Sequence, residues 1–281
     1  MSETIGRAYD VIAADYDHLL QRDQGMRAVL WRRYTSLFQA GDQVLDFCCG
    51  TGLDALFLAR RGVRVTGLDA SPGMIAQLQK KVTLDTNAPF AGNITASVGT
   101  TDDLMRMPAQ SCHGIISAFA GLNTVPDLAH FAALAHRLLR PNGWLMVHML
   151  ATAGLWARIE HARKGQWRSA WEPCEDGEKT IVVCGQPIRH ALPRPQDTYA
   201  RLFSSQFDLR RLYGMGFLWP YSLEGRLPKA VSEFGGCLES FAGRVRPFSG
   251  WGRFFVLEMQ KKNSRDDPGS PAISTNKSSG G

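Results

Sequence analysis

Residues 44–55, VLDFCCGTGLDA, are the part of the sequence that indicates the fold most directly. A short hydrophobic run reaches Asp46, a turn of small residues with Gly50 and Gly52 follows, and an amphipathic helix begins directly after the turn. Glycines let the backbone of such a turn approach a ligand closely, and the first turn of the following helix offers unpaired N–H groups. The stretch therefore predicts a strand, a turn and a helix that together bind a nucleotide-like ligand.

The spacing within this turn excludes two common kinds of phosphate site. A dinucleotide-binding loop follows the pattern GxGxxG, but the corresponding positions here are Cys48, Gly50 and Leu53. A P-loop continues with GKS or GKT, whereas this turn continues with GLD. The turn therefore matches neither kind of nucleotide-phosphate site.

A second carboxylate lies at the end of the next predicted strand. Asp69 ends the run VRVTGLD and lies 69 − 46 = 23 residues after Asp46. An acidic residue at about 20 residues' distance accepts hydrogen bonds from ribose hydroxyls in nucleoside-binding folds. Ser71 and Pro72 already supply a cap and a first helical position, which leaves Asp69 to the ligand. Two carboxylates without a phosphate-binding cation favour a cationic, phosphate-free nucleoside, and S-adenosylmethionine has that description.

Short apolar runs alternate with amphipathic segments between about residues 43 and 150. LDALFLARRG predicts a helix that ends at Gly62, and PDLAHFAALAHRLL places its apolar residues on one helical face. Short buried strands separated by helices predict a mostly parallel sheet that is covered on both faces. The candidate strands are QVLDFCC, VRVTGLD, ITASVG, HGIISAF and WLMVHML.

The two ends of the chain differ from this centre. Residues 5–40 predict two helices, AYDVIAADYDHLL and MRAVLWRRYTSLF. Beyond residue 150, GLWARIEHARKGQW predicts a helix, TIVVCGQPI a strand, and FDLRRLYGMGF and GRFFVLEMQ two more strands. Residues 216–250 are too many for a hairpin turn, so they predict structure of their own, and such additions tend to lie over the ligand-binding edge of a parallel sheet. Residues 262–281, rich in Ser, Pro, Gly and Asn, predict a disordered tail.

Composition narrows the class of protein. A chain of 281 residues with 44% hydrophobic and 21% charged residues suits a globular domain with a full core. No apolar run approaches the roughly 20 residues of a membrane-spanning helix, and the start MSETIGRAYD does not resemble a secretory signal, so a cytoplasmic protein is expected. The six cysteines predict reduced thiols and no metal site, with Cys48 and Cys49 as small turn residues. The net charge of +6 is spread as short basic pairs, which a solvated surface explains.

Five motifs in consecutive order resemble one known family. VLDFCCGTG, GLDASPGMI, VGTTDDL, GIISAFAGLNTVPD and LRPNGWLMVH are similar to the motifs of class I S-adenosylmethionine-dependent methyltransferases, over about residues 40–150. AYDVIAADYD and GRFFVLEMQ resemble the small-molecule members of that family. The resemblance implies an α/β, Rossmann-like fold with a seven-stranded, mostly parallel sheet and helices on both faces. It implies a single domain over 1–261, divided into a helical N-terminal lid at 1–40, a cofactor-binding core at 41–150 and substrate-covering insertions at 151–206 and 216–250.

The resemblance also implies a set of residues that bind S-adenosylmethionine. The methionine part is expected at Asp46 and at the backbone of Cys48, Gly50, Thr51 and Gly52. The ribose is expected at Asp69. The adenine is expected at Ala70 and Met74, at Thr101 and Asp102 in the loop after the third strand, and beside a wall of Ala118 and Phe119. Met74 could equally be a core residue.

Two positions depart from the family pattern. The first glycine of the family's loop is Cys48 here, a small residue that still permits the turn. The family often has an acidic residue that reads the adenine amino group where this chain has Thr100. Asp102 or Asp103 could take that role from nearby.

Candidate catalytic residues are few, because methyl transfer is an in-line displacement that depends mainly on alignment and a desolvated nucleophile. A general base is needed only if the acceptor must lose a proton, and His148 at the end of the fifth strand is the candidate, with a plain strand histidine as the alternative. Tyr16 lies seven residues after Tyr9, which predicts a shared face on one helix. Tyr16 is the candidate for a substrate contact, with simple packing as its alternative. Four tryptophans predict either an aromatic acceptor pocket or a small core: Trp156, Trp167, Trp171 and Trp219.

The sequence therefore predicts a methyltransferase that moves a methyl group from S-adenosylmethionine to O, N or C of a small-molecule acceptor. Nucleic acid is not the expected partner, and either a monomer or a homodimer is expected. Two alternatives stay open at this point. One is an RNA methyltransferase, which the sequence pI of about 9.1 would suit. The other is a catalytically silent regulatory protein that binds S-adenosylmethionine.

Overall fold

Strands form the centre of the part of the chain that the computed structural model describes, namely residues 3–84, 91–152, 154–168, 177–183, 186–224 and 226–263. These strands are β1 (Gln43–Phe47), β2 (Arg64–Asp69), β3 (Ile94–Val98), β4 (Cys112–Ser117), β5 (Leu139–Leu150), β6 (Gly177–Val183), β7 (Gln186–Leu192), β8 (Phe207–Met215) and β9 (Phe254–Lys261). Seven of them form one sheet in the order β3-β2-β1-β4-β5-β9-β8, and β6 pairs with β7 in a separate hairpin.

Helices precede the sheet, connect its strands and extend its C-terminal part. Those with α-helical geometry are α1 (Glu3–Ile12), α2 (Tyr16–Leu19), α3 (Gln24–Leu37), α4 (Leu53–Ala59), α5 (Pro72–Leu84), α6 (Thr101–Leu104), α7 (Leu128–Leu138), α8 (Leu155–Arg163), α9 (Pro195–Thr198), α10 (Tyr221–Glu224) and α11 (Lys229–Ala242). Helix α5 begins at Pro72, as the sequence predicts. Gly62 follows α4 in the left-handed region with φ of +82°, which matches the predicted helix end.

The sheet is covered on both faces, as its short and continuously apolar strands predict. Val44 of β1 packs into a core cluster with residues of α3 and α4, such as Leu30 and Leu58. The next residue, Leu45, points to the opposite face and packs in a cluster with Phe131 of α7. This alternation on β1 confirms the Rossmann-like α/β fold with helices on both faces.

The path of the chain determines where a ligand can bind. β1 pairs in parallel with β2 on one side and with β4 on the other, and β9 is antiparallel to both of its neighbours. From β1 the chain runs outward to β3 and then crosses back to β4, so the strand order reverses between β1 and β4. Ligands bind at such a reversal, beyond the carboxyl ends of the strands. Asp46, Asp69 and Ser117 lie at or next to these ends in β1, β2 and β4.

Two expectations about the peripheral segments need correction. AYDVIAADYDHLL does not form one helix, because α1 ends at Ile12 and Tyr16 begins the separate helix α2. TIVVCGQPI is not one strand but parts of two, since β6 and β7 pair as an antiparallel hairpin with Val183 opposite Gln186. The predicted tail falls almost wholly at residues 264–281, outside the described residues.

Among the helices of the described residues, none combines the length and the apolar character that crossing a membrane requires.

Candidate active site

The turn between β1 and α4 adopts a tightly bent backbone. Cys48, Gly50 and Gly52 have positive φ angles of 61°, 54° and 78°. Two of these residues are glycines, for which this conformation has no steric cost, whereas Cys48 carries a Cβ into it. Gly121 leaves room for the Cys48 side chain, because a Cβ at Gly121 would lie only 2.4 Å from the Cβ of Cys48. The turn thus tolerates Cys48 because its neighbour has no side chain.

Asp69 is held in place by this turn. Its Oδ2 accepts a hydrogen bond of 2.9 Å from the Gly50 N–H, and its Oδ1 accepts one of 2.9 Å from the Ser71 N–H. Burial raises the pKa of Asp69, and the same two N–H groups oppose that rise. Each carboxylate oxygen has a second lone pair, so Asp69 can accept hydroxyl donors as well.

Asp46 lies deeper in the site and is nearly inaccessible to solvent. No described residue offers a hydrogen-bond partner to its Oδ2, although the Ala55 N–H bonds its carboxylate. Burial and the nearby Asp54 carboxylate raise the pKa of Asp46, and the Arg27 guanidinium opposes them. An unpaired buried carboxylate oxygen is costly unless a donor reaches it, so Asp46 suits a cationic N–H donor from a ligand.

Arg27 is a site residue that the motifs did not reveal. Its Nη1 donates to Asp54 Oδ2 at 2.6 Å, both side chains are buried, and the guanidinium lies 4.1 Å from the centroid of the Phe119 ring. Trp31 donates to the other Asp54 oxygen at 2.7 Å. The sequence gives one indication of this position, since Arg27 lies three residues before Leu30 and shares a face of α3 with it.

Two small niches flank this turn. Tyr16, Cys48, Gly50, Ala118 and Phe119 line both of them. The first niche adds Arg27, Asp46, Thr51 and Asp54, and the second adds Tyr9, Asp69, Met74, Gly121 and Thr124. Each holds about 30 Å³, which is room for little more than a water molecule. Most of the predicted cofactor residues are therefore brought together around one narrow space.

Four predicted cofactor residues do not line the niches. Gly52 packs against Leu78, because a Cβ built on it would lie 2.2 Å from Leu78 Cδ1. Ala70 presents its carbonyl to Gly6 of α1. Thr101 is buried in the first turn of α6, and Asp102 is exposed on that turn.

The loop after β3 also distinguishes the two acids that could replace the one missing at Thr100. Asp103 closes a capping box with Thr100, accepting the Thr100 N–H at 2.8 Å, and forms an ion pair with Arg106 at 3.2 Å. Asp103 therefore has a structural task at the start of α6. The adenine contact expected at Asp102 stays a prediction.

The N-terminal segment lies across the niches and is tied to them by two carboxylates. Asp10 accepts hydrogen bonds from the Ser71 hydroxyl at 2.6 Å and the Gly73 N–H at 2.7 Å, both at the start of α5. Asp17 contacts the Thr51 hydroxyl and the Lys81 ammonium group.

The sequence predicts that the two tyrosines of this segment share a face of one helix, but they belong to two different helices. The rings of Tyr9 and Tyr16 form an edge contact with centroids 6.0 Å apart. Both rings are next to the niche that contains Asp69. Residues 3–23 therefore cover the place where the sequence predicts the cofactor.

A much larger cavity, of about 1320 Å³, opens on the other side of Tyr16 and Phe119. Its lining includes Phe254, and it draws on the C-terminal segments through Trp156, Trp219 and His190. Two of the four predicted tryptophans thus line it. Trp167 is mostly exposed and is not among the lining residues, and Trp171 lies outside the described residues.

The predicted base, His148, lies beneath the cavity wall. Its Nδ1 accepts the Phe119 N–H at 3.3 Å, so in the neutral ring the proton is on Nε2, which is buried and has no partner among the described residues. Burial and the charges of Arg27 and Arg253 lower the pKa of His148 from 6.5 to about 3. The catalytic role of His148 stays a prediction, and this geometry instead suits a residue that positions the Phe119 loop.

A second histidine, which the sequence analysis did not select, has the opposite arrangement. The Nδ1 of His190 is 3.1 Å from the Ile188 carbonyl, which can only accept, so Nδ1 carries the proton and Nε2 keeps its lone pair. Burial lowers the pKa of His190 and keeps the ring neutral. The Asn123 side chain holds this strand by bonding the Ala191 carbonyl and both backbone groups of Leu150. Nothing in the spacing of TIVVCGQPIRH marked this histidine.

Across the described ranges, no group of three or more His, Cys, Asp and Glu side chains is arranged to hold a metal ion.

Comparison with known proteins finds similarity to methyltransferases. A family model described as "Methyltransferase domain" matches residues 44–143, from β1 into β5. The chain is 30% identical over 145 residues to a demethylmenaquinone methyltransferase of Symbiobacterium thermophilum, covering 48% of this chain and 54% of that protein. It is 26% identical over 243 residues to a malonyl-[acyl-carrier protein] O-methyltransferase of Pectobacterium atrosepticum, covering 82% and 85%.

Solved structures agree on the fold. The CcbJ methyltransferase from Streptomyces caelestis superimposes with a TM-score of 0.59 at 18% identity, covering 94% of this chain and all of that one. At that identity the likeness concerns the fold alone. The chain spans about half the length of the Symbiobacterium relative.

Proposed function

The chain belongs to the class I S-adenosylmethionine-dependent methyltransferases, and from this premise we propose that it transfers a methyl group from S-adenosylmethionine to a small-molecule acceptor in the 1320 Å³ cavity. One observation carries the proposal. Tyr16 and Phe119 line both the niches beside Asp46 and Asp69 and the large cavity, so one thin wall separates the two. A methyl group presented at that wall would face an acceptor directly.

The residues of the niches fit the chemistry of the cofactor part by part. Asp69 has lone pairs for two ribose hydroxyls and is fixed by two backbone N–H groups. Asp46 has a buried, unpartnered oxygen that suits the α-ammonium group. Arg27 lies in the same niche and is the cation suited to the α-carboxylate. When bound, the sulfonium supplies a methyl group that is already activated for displacement.

The niches are too small for such a ligand while residues 3–23 lie where they are. We therefore propose that these residues act as a lid. Opening requires that Asp10 and Asp17 leave α5 and the glycine turn, and closing returns Tyr9 and Tyr16 to the site. A closed lid excludes water from the reacting atoms, which methyl transfer to a desolvated nucleophile needs.

The residues that line the large cavity suggest a role for the chain beyond aligning cofactor and acceptor. For an acceptor that must lose a proton, we propose His190 as the base, because its Nε2 lone pair is available and its ring lines the cavity. Tyr16 would contact both reactants from the lid. The aromatic lining from Tyr9, Phe254 and Trp219 favours an apolar or aromatic acceptor, which fits the quinone-type name of the Symbiobacterium relative.

Calorimetry tests the cofactor part of this proposal. Wild-type protein is titrated with S-adenosylmethionine and S-adenosylhomocysteine, beside Asp69→Ala, Asp69→Asn and the control Asp208→Ala on the far strand β8. Hydrogen bonds to a charged group contribute about 1.5–3 kcal/mol each, so Asp69→Ala should weaken binding by about 100-fold, Asp69→Asn by less, and the control not at all. Wild-type indifference to both ligands would contradict the proposal.

Labelled cofactor tests the transfer. The protein is incubated with S-adenosylmethionine carrying an isotopic methyl group and a cell extract that contains both small molecules and RNA, and the products are examined by mass spectrometry. A labelled small molecule supports the proposal. Label in RNA would favour an RNA methyltransferase, and tight cofactor binding with no labelled product from any acceptor pool would favour the silent regulatory protein.

A further inference from the structure

A stripe of large apolar side chains runs along the outer face of α11 and the turn that follows. Val231, Phe234, Leu238, Phe241 and Val245 are spaced three and four residues apart in alternation, and we refer to them as the α11 stripe. Phe234 and Phe241 are 66% and 73% exposed, and even Leu238 is 48% exposed. Large apolar side chains that share one exposed face mark an interaction surface far more often than isolated ones do.

The helix that carries the stripe is firmly packed on its other side. A Cβ on Gly236 would lie 2.6 Å from the Gly25 carbonyl of α3, and a Cβ on Gly235 would lie 2.6 Å from Trp219 Nε1. The Glu239 carboxylate accepts the N–H groups of Gly216 and Phe217 at 2.8 Å each. Because these contacts fix the helix, the stripe cannot turn inward and is presented outward as a rigid surface.

The spacing is that of a helix that pairs with another helix. Apolar residues alternating at three and four positions form the seam by which two helices interlock their side chains. A symmetric pair uses the same patch on both copies, so residues at one end of the stripe must complement residues at the other end.

The charges beside the stripe differ between its two ends. Glu233, beside the N-terminal end, is partly exposed and lies 3.8 Å from Lys229. Arg244 and Arg246, beside the C-terminal end, are both exposed. In an antiparallel pair each Glu233 approaches the arginines of the other copy, whereas in a parallel pair four arginines would come together.

From the spacing and the charges together, we propose that the α11 stripe is the interface of a homodimer, in which two copies of this chain pair antiparallel through α11. The pairing also concerns the acceptor cavity, since Trp219 packs on α11 and lines that cavity. Dimerisation would hold this wall of the cavity in place.

Sedimentation equilibrium over a wide range of protein concentration tests the proposal. Wild-type protein should approach twice the 31.0 kDa of one chain. Leu238→Glu and Phe234→Glu should be monomeric under the same conditions, because each places a carboxylate in the apolar seam. The control Leu84→Glu alters a side chain that is 76% exposed at the end of α5 and should leave the dimer unchanged. Far-ultraviolet circular dichroism checks that each variant is folded.

A charge exchange tests the antiparallel arrangement. Glu233→Arg should raise the dimer dissociation constant, and combining it with Arg244→Glu and Arg246→Glu should lower it again. A parallel pair would show no such recovery.

Three outcomes would overturn the proposal. One is a wild-type monomer at all concentrations, and another is a dimer that Leu238→Glu does not affect. The third is a wild-type monomer that binds vesicles of anionic lipid through the stripe, which would assign the surface to a membrane instead.

Discussion

On one side of Phe119 the niches are built around three strand ends that are neighbours in the sheet. On the other side the large cavity is built from the N-terminal segment and from segments scattered between residues 150 and 254. On the first side, backbone N–H groups of two neighbouring turns, those of Gly50 and Ser71, fix Asp69. On the second side, long-range ties hold the walls, such as Trp156 Nε1 donating to the Phe217 carbonyl at 3.0 Å. The niches, which form the proposed cofactor side, are thus determined mainly by local geometry. The large cavity, which forms the proposed acceptor side, is determined by contacts between distant parts of the chain.

Because of this difference, a substitution on one side should leave the other side unchanged. A substitution in the glycine turn disturbs the turn itself and every ligand group that it positions. A substitution that removes one long-range hydrogen bond of the proposed acceptor side should loosen a wall of the large cavity and leave the glycine turn unaffected. The predictions below test that separation, starting with the largest expected effect.

Arg27→Met should cause the largest loss of stability, because Asp54 would stay buried without its cation. Removing one partner of a buried ion pair costs about 3–5 kcal/mol. Urea denaturation measures the free energy of unfolding. The control is Arg61→Met, which removes an exposed guanidinium that lies 3.8 Å from the centroid of the Phe57 ring. Equal losses in both variants would contradict the importance of the buried pair.

Glu239→Ala should test the acceptor side alone. It removes the acceptor of the Gly216 and Phe217 N–H groups, and leaving buried donors unpaired costs about 1–3 kcal/mol each. Hydrogen exchange should increase at residues 216–218, and the affinity for S-adenosylhomocysteine should stay within about twofold of wild type, less than 0.5 kcal/mol. Glu239→Gln keeps one carbonyl acceptor and should lose less. A large loss of cofactor affinity would break the separation of the two sides.

His148→Asn should remove a pH dependence of stability. In the folded state the pKa of His148 is about 3, whereas the unfolded chain takes up this proton near 6.5. The unfolded state therefore binds more protons below pH 6.5, and folding stability falls as the pH falls toward 3. Between pH 6.5 and 5 this amounts to about 2 kcal/mol in wild type that the variant lacks.

Denaturation curves at several pH values measure this difference. Other buried acids titrate in both proteins, so only the difference between variant and wild type is compared. His18→Asn removes an exposed histidine and is the control. An identical pH dependence in wild type and His148→Asn would show that His148 is not held neutral.

The sequence predicts which residues lie together around the niches because the information there is local. Asp46, Gly50 and Asp69 each follow from strand ends and turn chemistry within 24 residues of chain. The sheet and its helices follow from the alternation of apolar runs for the same reason. Cys48 is instructive, since its fit depends on the missing side chain of Gly121, a residue distant in sequence.

The acceptor side could not be predicted because its contacts depend on tertiary structure. His190 and His148 are both strand histidines, and only the Ile188 carbonyl and the Phe119 N–H give their rings opposite tautomers. Arg27 was missed because a lone arginine in a basic segment resembles surface charge until its helix is docked. Tyr16 was expected on the same helix as Tyr9 but begins the separate helix α2, and the edge contact of the two rings was not predicted.

Lys81→Met should have the smallest effect on stability and a larger one on kinetics. The Lys81 ammonium contacts Asp17 of the N-terminal segment and donates to the Thr51 carbonyl at 2.9 Å, but both side chains of this ion pair are partly exposed. Pairs of this kind contribute about 0–1 kcal/mol, so unfolding should change little. Because the pair joins the proposed lid to the glycine turn, S-adenosylhomocysteine should dissociate faster from the variant, as stopped-flow fluorescence would measure. Lys80→Met alters an exposed lysine of the same helix and should not change the rate. If high salt speeds release of the ligand from wild type but not from Lys81→Met, the contact between Lys81 and Asp17 is electrostatic. If the three proteins release the ligand equally fast, residues 3–23 do not control access to the proposed cofactor side.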